Sequence, residues 1–402
     1  MKITDIIVTP VAVPVKPAET ASKMRIGARV MPAVLVEVLT DEGITGIGES
    51  PSVLGLDLTA EFVRSAKEFM VGEDPSQINV LMKKLYARYN LTHLHVHLGN
   101  WALNGIELAL WDIAGKRAGM PLYQLWGGAY RKKIDYYGIV ERQELDGMEH
   151  RAKELAEAGY KTIYTKIGMD PEDDVAAVAA IRRGAPDRSI KIRVDANQSW
   201  NTGTAIKVIN EMAQYDVDMV EQPVLMYNLD ALREVRNHVS VPILGHESNW
   251  TMYDMLNVIK ANAVDYVKLD ARFDLGYTGV RISAGMAESA GIQCVHHSFF
   301  ELGIAFAANM HVIASCPNFT TTNSNGEYDR LEDDVLVGGL MQGPDPAHYL
   351  VPEKPGIGVE LDHDRVGKYH EYYLEHVHRK NIERDTENHY YGAMQLRSYL
   401  KN

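Results

Sequence analysis

Three carboxylates recur at equal intervals, each ending a short apolar run, and no other feature narrows the possible folds as far. Asp195 closes Ile-Arg-Val-Asp, Glu221 closes Met-Val-Glu, and Glu247 closes Ile-Leu-Gly-His-Glu, so that both intervals are 26 residues. A repeat of that length holds one strand, one helix and two turns. In a parallel α/β barrel, successive strands deliver their C-terminal ends to one mouth, where the three acids would converge. Their mutual repulsion raises their pKa values unless a cation sits among them. Three hard oxygen ligands with room left for water or substrate suit Mg²⁺. The spacing alone therefore predicts a divalent-metal site (Asp195, Glu221, Glu247) in a barrel enzyme.

The rest of the chain reads in keeping with that frame. Residues 2–14 and 33–40 form apolar strands, Asp41-Glu42-Gly43 signals a turn, and 44–48 form a third strand. Helical periodicity follows at about 59–71, 77–89 and 100–118. This is an α+β unit over 1–128, with Gly127-Gly128 at its boundary. Over 129–345 short apolar strands alternate with amphipathic helices. Strands are expected near 135–139, 161–166, 191–195, 218–221, 242–247, 265–270, 292–296 and 318–322, the number that a closed barrel needs. A last segment, 346–402, carries a helix at about 364–379 and a polar stretch, 380–402, read as a surface tail.

Composition excludes several function classes. With 402 residues the chain is long enough for two domains. A net charge of −13 argues against nucleic acid or an anionic membrane surface as partner. Cys294 and Cys316 are too few for a disulfide framework, which points to a reducing, cytoplasmic setting. Asp5 and Pro10 interrupt the first residues too early for a signal peptide, and no apolar run approaches membrane-spanning length. No strand is followed by Gly-x-Gly-x-x-Gly, which argues against a dinucleotide-binding oxidoreductase.

Side chains on a strand alternate faces. In Ile163-Tyr164-Thr165-Lys166, Tyr164 and Lys166 share a face, and a lysine at the inward end of a barrel strand suits a proton carrier better than packing. Asp270 and His297 end neighbouring strands, where a carboxylate fixes the tautomer of an imidazole and raises its basicity. His296 faces the other way and is read as structural. Asn197 shares a face with Asp195 and is expected to bond the metal shell or the substrate. His246 adjoins Glu247, but alternation is expected to turn it away. His93, His95 and His97 would line one face beside the pocket, with His95 a candidate substrate contact. Lys23, Arg25 and Arg29 lie in a loop that could serve as an anion-binding lid, with Arg25 the candidate contact.

These motifs together resemble the enolase superfamily, in its mandelate racemase-like branch, over about residues 1–375. The resemblance rests on Gly105-Ile-Glu-Leu-Ala-Leu-Trp-Asp-Ile-Ala-Gly-Lys-Arg117, Val194-Asp-Ala-Asn-Gln-Ser-Trp200, Glu221-Gln-Pro223 and Pro355-Gly-Ile-Gly-Val-Glu-Leu-Asp362. It implies a (β/α)₇β barrel under an α+β cap that the C-terminal segment rejoins. It also implies one Mg²⁺ on Asp195, Glu221 and Glu247, with Lys166 and the His297–Asp270 pair as acid–base groups. The shared chemistry is removal of the proton α to a carboxylate, for which the superfamily's Lys or His bases and Mg²⁺ are a known pattern. Tyr164 stands where a first lysine is usual, and is expected as a catalytic residue that donates to the substrate carboxylate or joins Lys166 as a dyad. Asn323 stands where many relatives carry a glutamic acid that hydrogen-bonds the substrate carboxylate, and its amide is expected to donate there more weakly. Relatives are often dimers or octamers, so a homo-oligomer is expected.

The polar, basic and histidine-bearing cap segments suit a hydroxylated substrate. The expected reaction is therefore dehydration of a hexonate, hexuronate or aldarate to a 2-keto-3-deoxy acid. Racemisation or epimerisation of a 2-hydroxy acid is the alternative, with cycloisomerisation or a catalytically silent sugar-acid binder further behind.

Overall fold

The computed structural model describes residues 1–16, 30–51, 55–89, 98–326 and 328–378. Lys23, Arg25, Arg29, His93, His95, His97 and the 380–402 tail lie outside the described residues.

The cap begins with an antiparallel sheet of β1 (Ile3–Pro14), β2 (Val30–Thr40) and β3 (Thr45–Pro51), in that order. Helices α1 (Leu56–Met70), α2 (Ile78–Arg88) and α3 (Gly99–Ala118) pack against it. Helix α3 is buried nearly all round because it is the seam between cap and barrel. Three of its polar side chains find partners across that seam. Asp112 accepts from the amides of Ile47 and Ile357, both at 2.9 Å. Asn100 donates to the Phe273 carbonyl at 2.6 Å. Glu107 accepts from the Tyr277 and Thr278 amides at 2.6 and 3.1 Å, orphan donors at a helix N-terminus. Only glycine fits at 276, where φ is +90° and a Cβ would stand 1.7 Å from the Glu107 carboxylate.

After the short α4 (Leu122–Leu125) the barrel follows. Strands β5 (Gly138–Ile139), β6 (Thr162–Lys166), β7 (Lys191–Asp195), β8 (Val217–Glu221), β9 (Ile243–Gly245), β10 (Tyr266–Leu269) and β11 (Gln293–His296) form one curled parallel sheet in chain order. Helices α5 (Leu145–Glu157), α6 (Pro171–Gly184), α7 (Thr202–Met212), α8 (Leu229–His238), α9 (Met252–Ala261), α10 (Tyr277–Ser289) and α11 (Gly303–Ser315) alternate with the strands. Their starts are legible: Asp170 with Pro171, Asn201 and Asn228 cap α6, α7 and α8, and Thr251 with Asp254 forms a capping box on α9.

Two expected strands differ. The run at 135–139 divides: β4 (Lys133–Asp135) pairs antiparallel with β12 (His348–Leu350), and only Gly138–Ile139 joins the parallel sheet. The run at 318–322 is not a strand. The barrel closes there through scattered bonds, the Cys294 amide to the Asn318 carbonyl at 2.8 Å and the Tyr137 amide to the Asn323 carbonyl at 3.0 Å. The Asn323 side-chain oxygen accepts from the His296 amide at 2.8 Å, taking the place of a ladder bond. Past the barrel, α12 (His363–His376) returns to the cap, where Tyr373 and Val377 enter its core and a ring nitrogen of His370 bonds the Pro10 carbonyl at 2.7 Å. No helix among the described residues is long and apolar enough to cross a membrane.

Cap and barrel are also tied by Glu49, which accepts from the Leu302 and Ala305 amides at 2.7 and 3.0 Å at the start of α11. Complete burial pushes this carboxyl up to about 8, against the opposing pull of the two amides. A carboxyl whose pKa is raised by folding contributes stability that is full below its unfolded value, about 4.3, and lost as pH rises through the folded one. The Glu49 contribution to the urea midpoint should therefore fall away between about pH 4.5 and 8, while His296 and His311, lowered to about 4 by burial, act in the opposite sense below about pH 6.5. Glu49→Gln should remove that contribution and leave those of other buried carboxyls, among them Glu301, Asp334 and Asp174, which burial pushes up to about 7, about 6 and about 6. An unchanged slope would contradict this assignment.

Candidate active site

Barrel topology sets the site. In sheet order, the strand ends present Lys166 on β6, Asp195 on β7, Glu221 on β8, Glu247 just after β9, Asp270 just after β10 and His297 just after β11. Lys166 pairs in register with Asp195, and Asp195 with Glu221. The three acids thus lie between two groups able to carry a proton. All three are buried.

On one side, Lys166 Nζ lies 2.5 Å from Asp195 Oδ2 and 2.8 Å from Asn197 Oδ1. Tyr164 donates to the same Asp195 oxygen at 2.7 Å and stacks on Tyr137, with ring centroids 4.7 Å apart. Burial, and then Asp195, push the Tyr164 phenol well above its usual pKa of about 10. Its hydroxyl is therefore a fixed donor to Asp195, and a proton-sharing dyad of Tyr164 with Lys166 is not what this geometry offers. Asn197 takes φ +40°, a left-handed value that asparagine tolerates better than most residues. From there its Nδ2 reaches Glu247 Oε1 at 3.3 Å, so it links Lys166 to the third acid.

On the other side, a ring nitrogen of His297 lies 2.6 Å from Asp270 Oδ2. Arg272, which sequence reasoning passed over, clasps Asp270 through Nε at 2.8 Å and through a second, terminal nitrogen. Burial opposes charge on Asp270, but the Arg272 guanidinium and the His297 bond outweigh it and hold the carboxyl well below the usual range. The His297 imidazole is lowered well below its usual pKa by burial first and by His246 second. It is therefore neutral near pH 7, with one nitrogen committed to Asp270 and the other free to act as a base. His296 is fully buried and lowered to about 4 by burial, a structural residue as expected.

Three placements differ from the sequence reading or go beyond it. His246 does not turn away. Alternation ends with β9 at Gly245, and Glu247–Asn249 form a 3₁₀ turn, so the imidazole swings to 3.0 Å from Glu221 Oε1 and 4.2 Å, centroid to centroid, from the His297 ring. Asn323 does not face the site with a free amide: its oxygen bonds the His296 amide and its nitrogen donates to the Thr321 carbonyl at 3.1 Å, so the side chain is committed to barrel closure. Lys268, missed in the sequence, lies inside the barrel with Nζ 2.7 Å from Glu221 Oε2 and over the Tyr164 ring. The i, i+2 relation of Lys268 to Asp270 was the signal that could have found it.

Among the described residues, no three His, Cys, Asp or Glu side chains are gathered as a ready-made metal-binding group. The reason is visible: Asp195 is drawn onto Lys166 and Tyr164, and Glu221 onto Lys268. The donor set nevertheless fits a cation. Glu221 Oε1 and Glu247 Oε2 are buried without a hydrogen bond, a costly state for a carboxylate oxygen that a positive ion relieves.

Comparison with known proteins completes the picture. The model of the mandelate racemase / muconate lactonizing enzyme N-terminal domain matches residues 3–127, and the enolase C-terminal domain-like model matches 147–365. The N-succinyl-L-Arg/Lys racemase of Bacillus cereus is 29% identical over 83% of this chain and 89% of its own. The crystal structure of that racemase superposes with a TM-score of 0.83 at 26% identity, covering 92% of this chain and 98% of the other. A dipeptide epimerase from Enterococcus faecalis, complexed with Mg and L-Leu-L-Tyr, superposes with a TM-score of 0.81 at 26% identity over 90% of this chain and all of the other. An arabinonate dehydratase from Saccharolobus solfataricus is 27% identical over 85% of this chain and 91% of its own. Other relatives in this range are epimerases and cycloisomerases.

Proposed function

The chain belongs to the mandelate racemase / muconate lactonizing enzyme branch of the enolase superfamily, and from that membership and the layout of its site we propose that it racemises or epimerises a carboxylate substrate by moving the α-proton between Lys166 and His297. The observation that carries this reading is the order of strand ends, with Lys166 on one side of the three acids and His297 on the other. A substrate carboxylate held over the three acids would have its α-carbon between the two proton carriers. Whichever faces the proton removes it, and the other returns one to the opposite face.

Asp195, Glu221 and Glu247 would hold Mg²⁺, which when bound supplies Lewis-acid stabilisation of the charge that gathers on the substrate carboxylate. Neutral His297, its tautomer fixed by Asp270 and Arg272, is the base ready at neutral pH. Lys166 is oriented by Asp195 and Asn197. Small-molecule carboxylates are the substrate class, N-acyl amino acids and dipeptides included, since relatives named for those compounds share the frame.

Dehydration of a sugar acid is the second reading. It is favoured by the firmly held His297–Asp270–Arg272 group, which could pass a proton to a departing β-hydroxyl, and by the likeness to an arabinonate dehydratase. The test is incubation with Mg²⁺ in D₂O of a panel of N-acyl amino acids, dipeptides, 2-hydroxy acids and acid sugars, followed by proton NMR. Deuterium at the α-carbon with inversion and no loss of water is the expected result. A 2-keto-3-deoxy product would overturn it in favour of dehydration.

A further inference from the structure

We propose that His246 is itself a ligand of the cation held at the strand ends, giving the site an imidazole nitrogen beside its carboxylates. The inference rests on the metal-binding part of the proposed function and not on the reaction. It follows from which buried polar atoms are already satisfied. Asp195 Oδ1 accepts from the Asn197 amide at 2.8 Å, and Oδ2 accepts from Tyr164 and Lys166. Glu221 Oε2 accepts from Lys268, and Glu247 Oε1 from Asn197 and Gln198. Among the three acids and His246, the atoms left without a hydrogen bond are Glu221 Oε1, Glu247 Oε2 and both ring nitrogens of His246.

These leftovers are neighbours. His246 Nδ1 lies 3.0 Å from Glu221 Oε1 and 3.6 Å from Glu247 Oε2. Two donor atoms each about 2.1 Å from one ion, and about 90–110° apart around it, are separated by roughly 3.0–3.4 Å. The observed separations are close to the edges of such a coordination polyhedron. A cation at this point would meet the ring nitrogen and both carboxylate oxygens at once.

The backbone is built to hold the ring there. Gln222 Oε1 accepts from both the His246 and Ser248 amides at 3.1 Å, fixing the turn from the neighbouring strand. Gly245 leaves room for it, since a Cβ there would meet Asn249 at 2.7 Å and Val264 at 2.9 Å. The rings of His297 and Phe273 flank the imidazole, with centroids at 4.2 and 6.2 Å. An imidazole donor shifts a site's preference away from Mg²⁺ and toward Mn²⁺, Co²⁺, Ni²⁺ and Zn²⁺, so this site is expected to favour those ions more than an all-carboxylate site would.

The test uses Mn²⁺ with the full chain and electron spin-echo spectroscopy, which detects directly bound ¹⁴N. The proposal expects ¹⁴N modulation in the unaltered protein, its loss in His246→Gln and in His246→Asn, and its persistence in His297→Asn. It also expects Mn²⁺ affinity to fall by at least about tenfold in His246→Gln, with Mg²⁺ affinity changing less. Bound Mn²⁺ without ¹⁴N modulation in the unaltered protein would overturn the proposal and leave the carboxylate site standing, and this readout needs no variant to fold. Modulation that survives in both His246 variants would overturn it equally. Failure to bind any Mn²⁺ would overturn the metal site as a whole.

Discussion

In Lys166→Gln, exchange of the substrate α-proton with solvent is expected to stop for one stereoisomer and persist for the other. Conversion between the isomers should fall by about 10²–10⁴-fold, the range that a positioned acid or base contributes. His297→Asn should give the mirror-image result, losing exchange for the isomer that Lys166→Gln still exchanges. Lys166 and His297 stand at opposite ends of the run of strand ends that carries the three acids, so each faces the α-carbon from its own side. The two sites also differ electrostatically. Lys166 is held against Asp195, whereas His297 is neutral through burial and the nearness of His246. Deuterium exchange followed for each isomer separately checks this. Equal loss for both isomers in both variants would contradict a division of labour between the two groups.

Lys268→Met is expected to lower the unfolding free energy by about 3–5 kcal/mol in the presence of a chelator, the usual cost of leaving one member of a buried ion pair unmatched. Lys268 and Glu221 are both fully buried and 2.7 Å apart. Burial opposes both charges, yet each outweighs it for the other: the Glu221 carboxyl is held well below its usual range and the Lys268 ammonium above its own. A depressed carboxyl contributes stability above its unfolded pKa and loses it as pH falls, while a raised ammonium contributes below its unfolded pKa and loses it at high pH. The deficit of the variant should therefore be largest between about pH 5 and 10 and shrink toward acid, where Glu221 takes up a proton. Urea unfolding across that range measures it. A deficit under about 1 kcal/mol, or one that grows toward acid, would contradict the pairing.

Lys268 and His246 also mark how far the site was legible from sequence. Asp195 and Glu221 were readable because each ends a regular strand, where spacing and alternation hold. Glu247 kept the 26-residue interval although it stands past the end of β9, in a 3₁₀ turn. His246 was misplaced for that same reason: alternation predicts facing only while the backbone stays extended, and here the strand has ended. Lys268 obeys alternation and was legible in principle beside Asp270. Arg272 lies beyond its strand, and only folding shows that its guanidinium doubles back on Asp270. The eighth strand failed because an asparagine side chain at 323 replaces a backbone partner, which no hydrophobic pattern records. In the cap, strand and helix order was plain from periodicity. The role of Glu49 and Glu107 in holding the starts of α11 and α10 was not, because those contacts span more than 150 residues of sequence.

α-Proton exchange at a cation-dependent site is tested most directly by the D₂O exchange experiment run twice on the best substrate of the panel. One run follows treatment with a chelator and the other follows return of Mg²⁺. Exchange at the α-carbon that vanishes with the chelator and returns with the metal, with inversion and no loss of water, is the predicted result. Exchange that continues at full rate without a divalent ion would contradict the central claim, as would turnover of a substrate whose α-proton never exchanges.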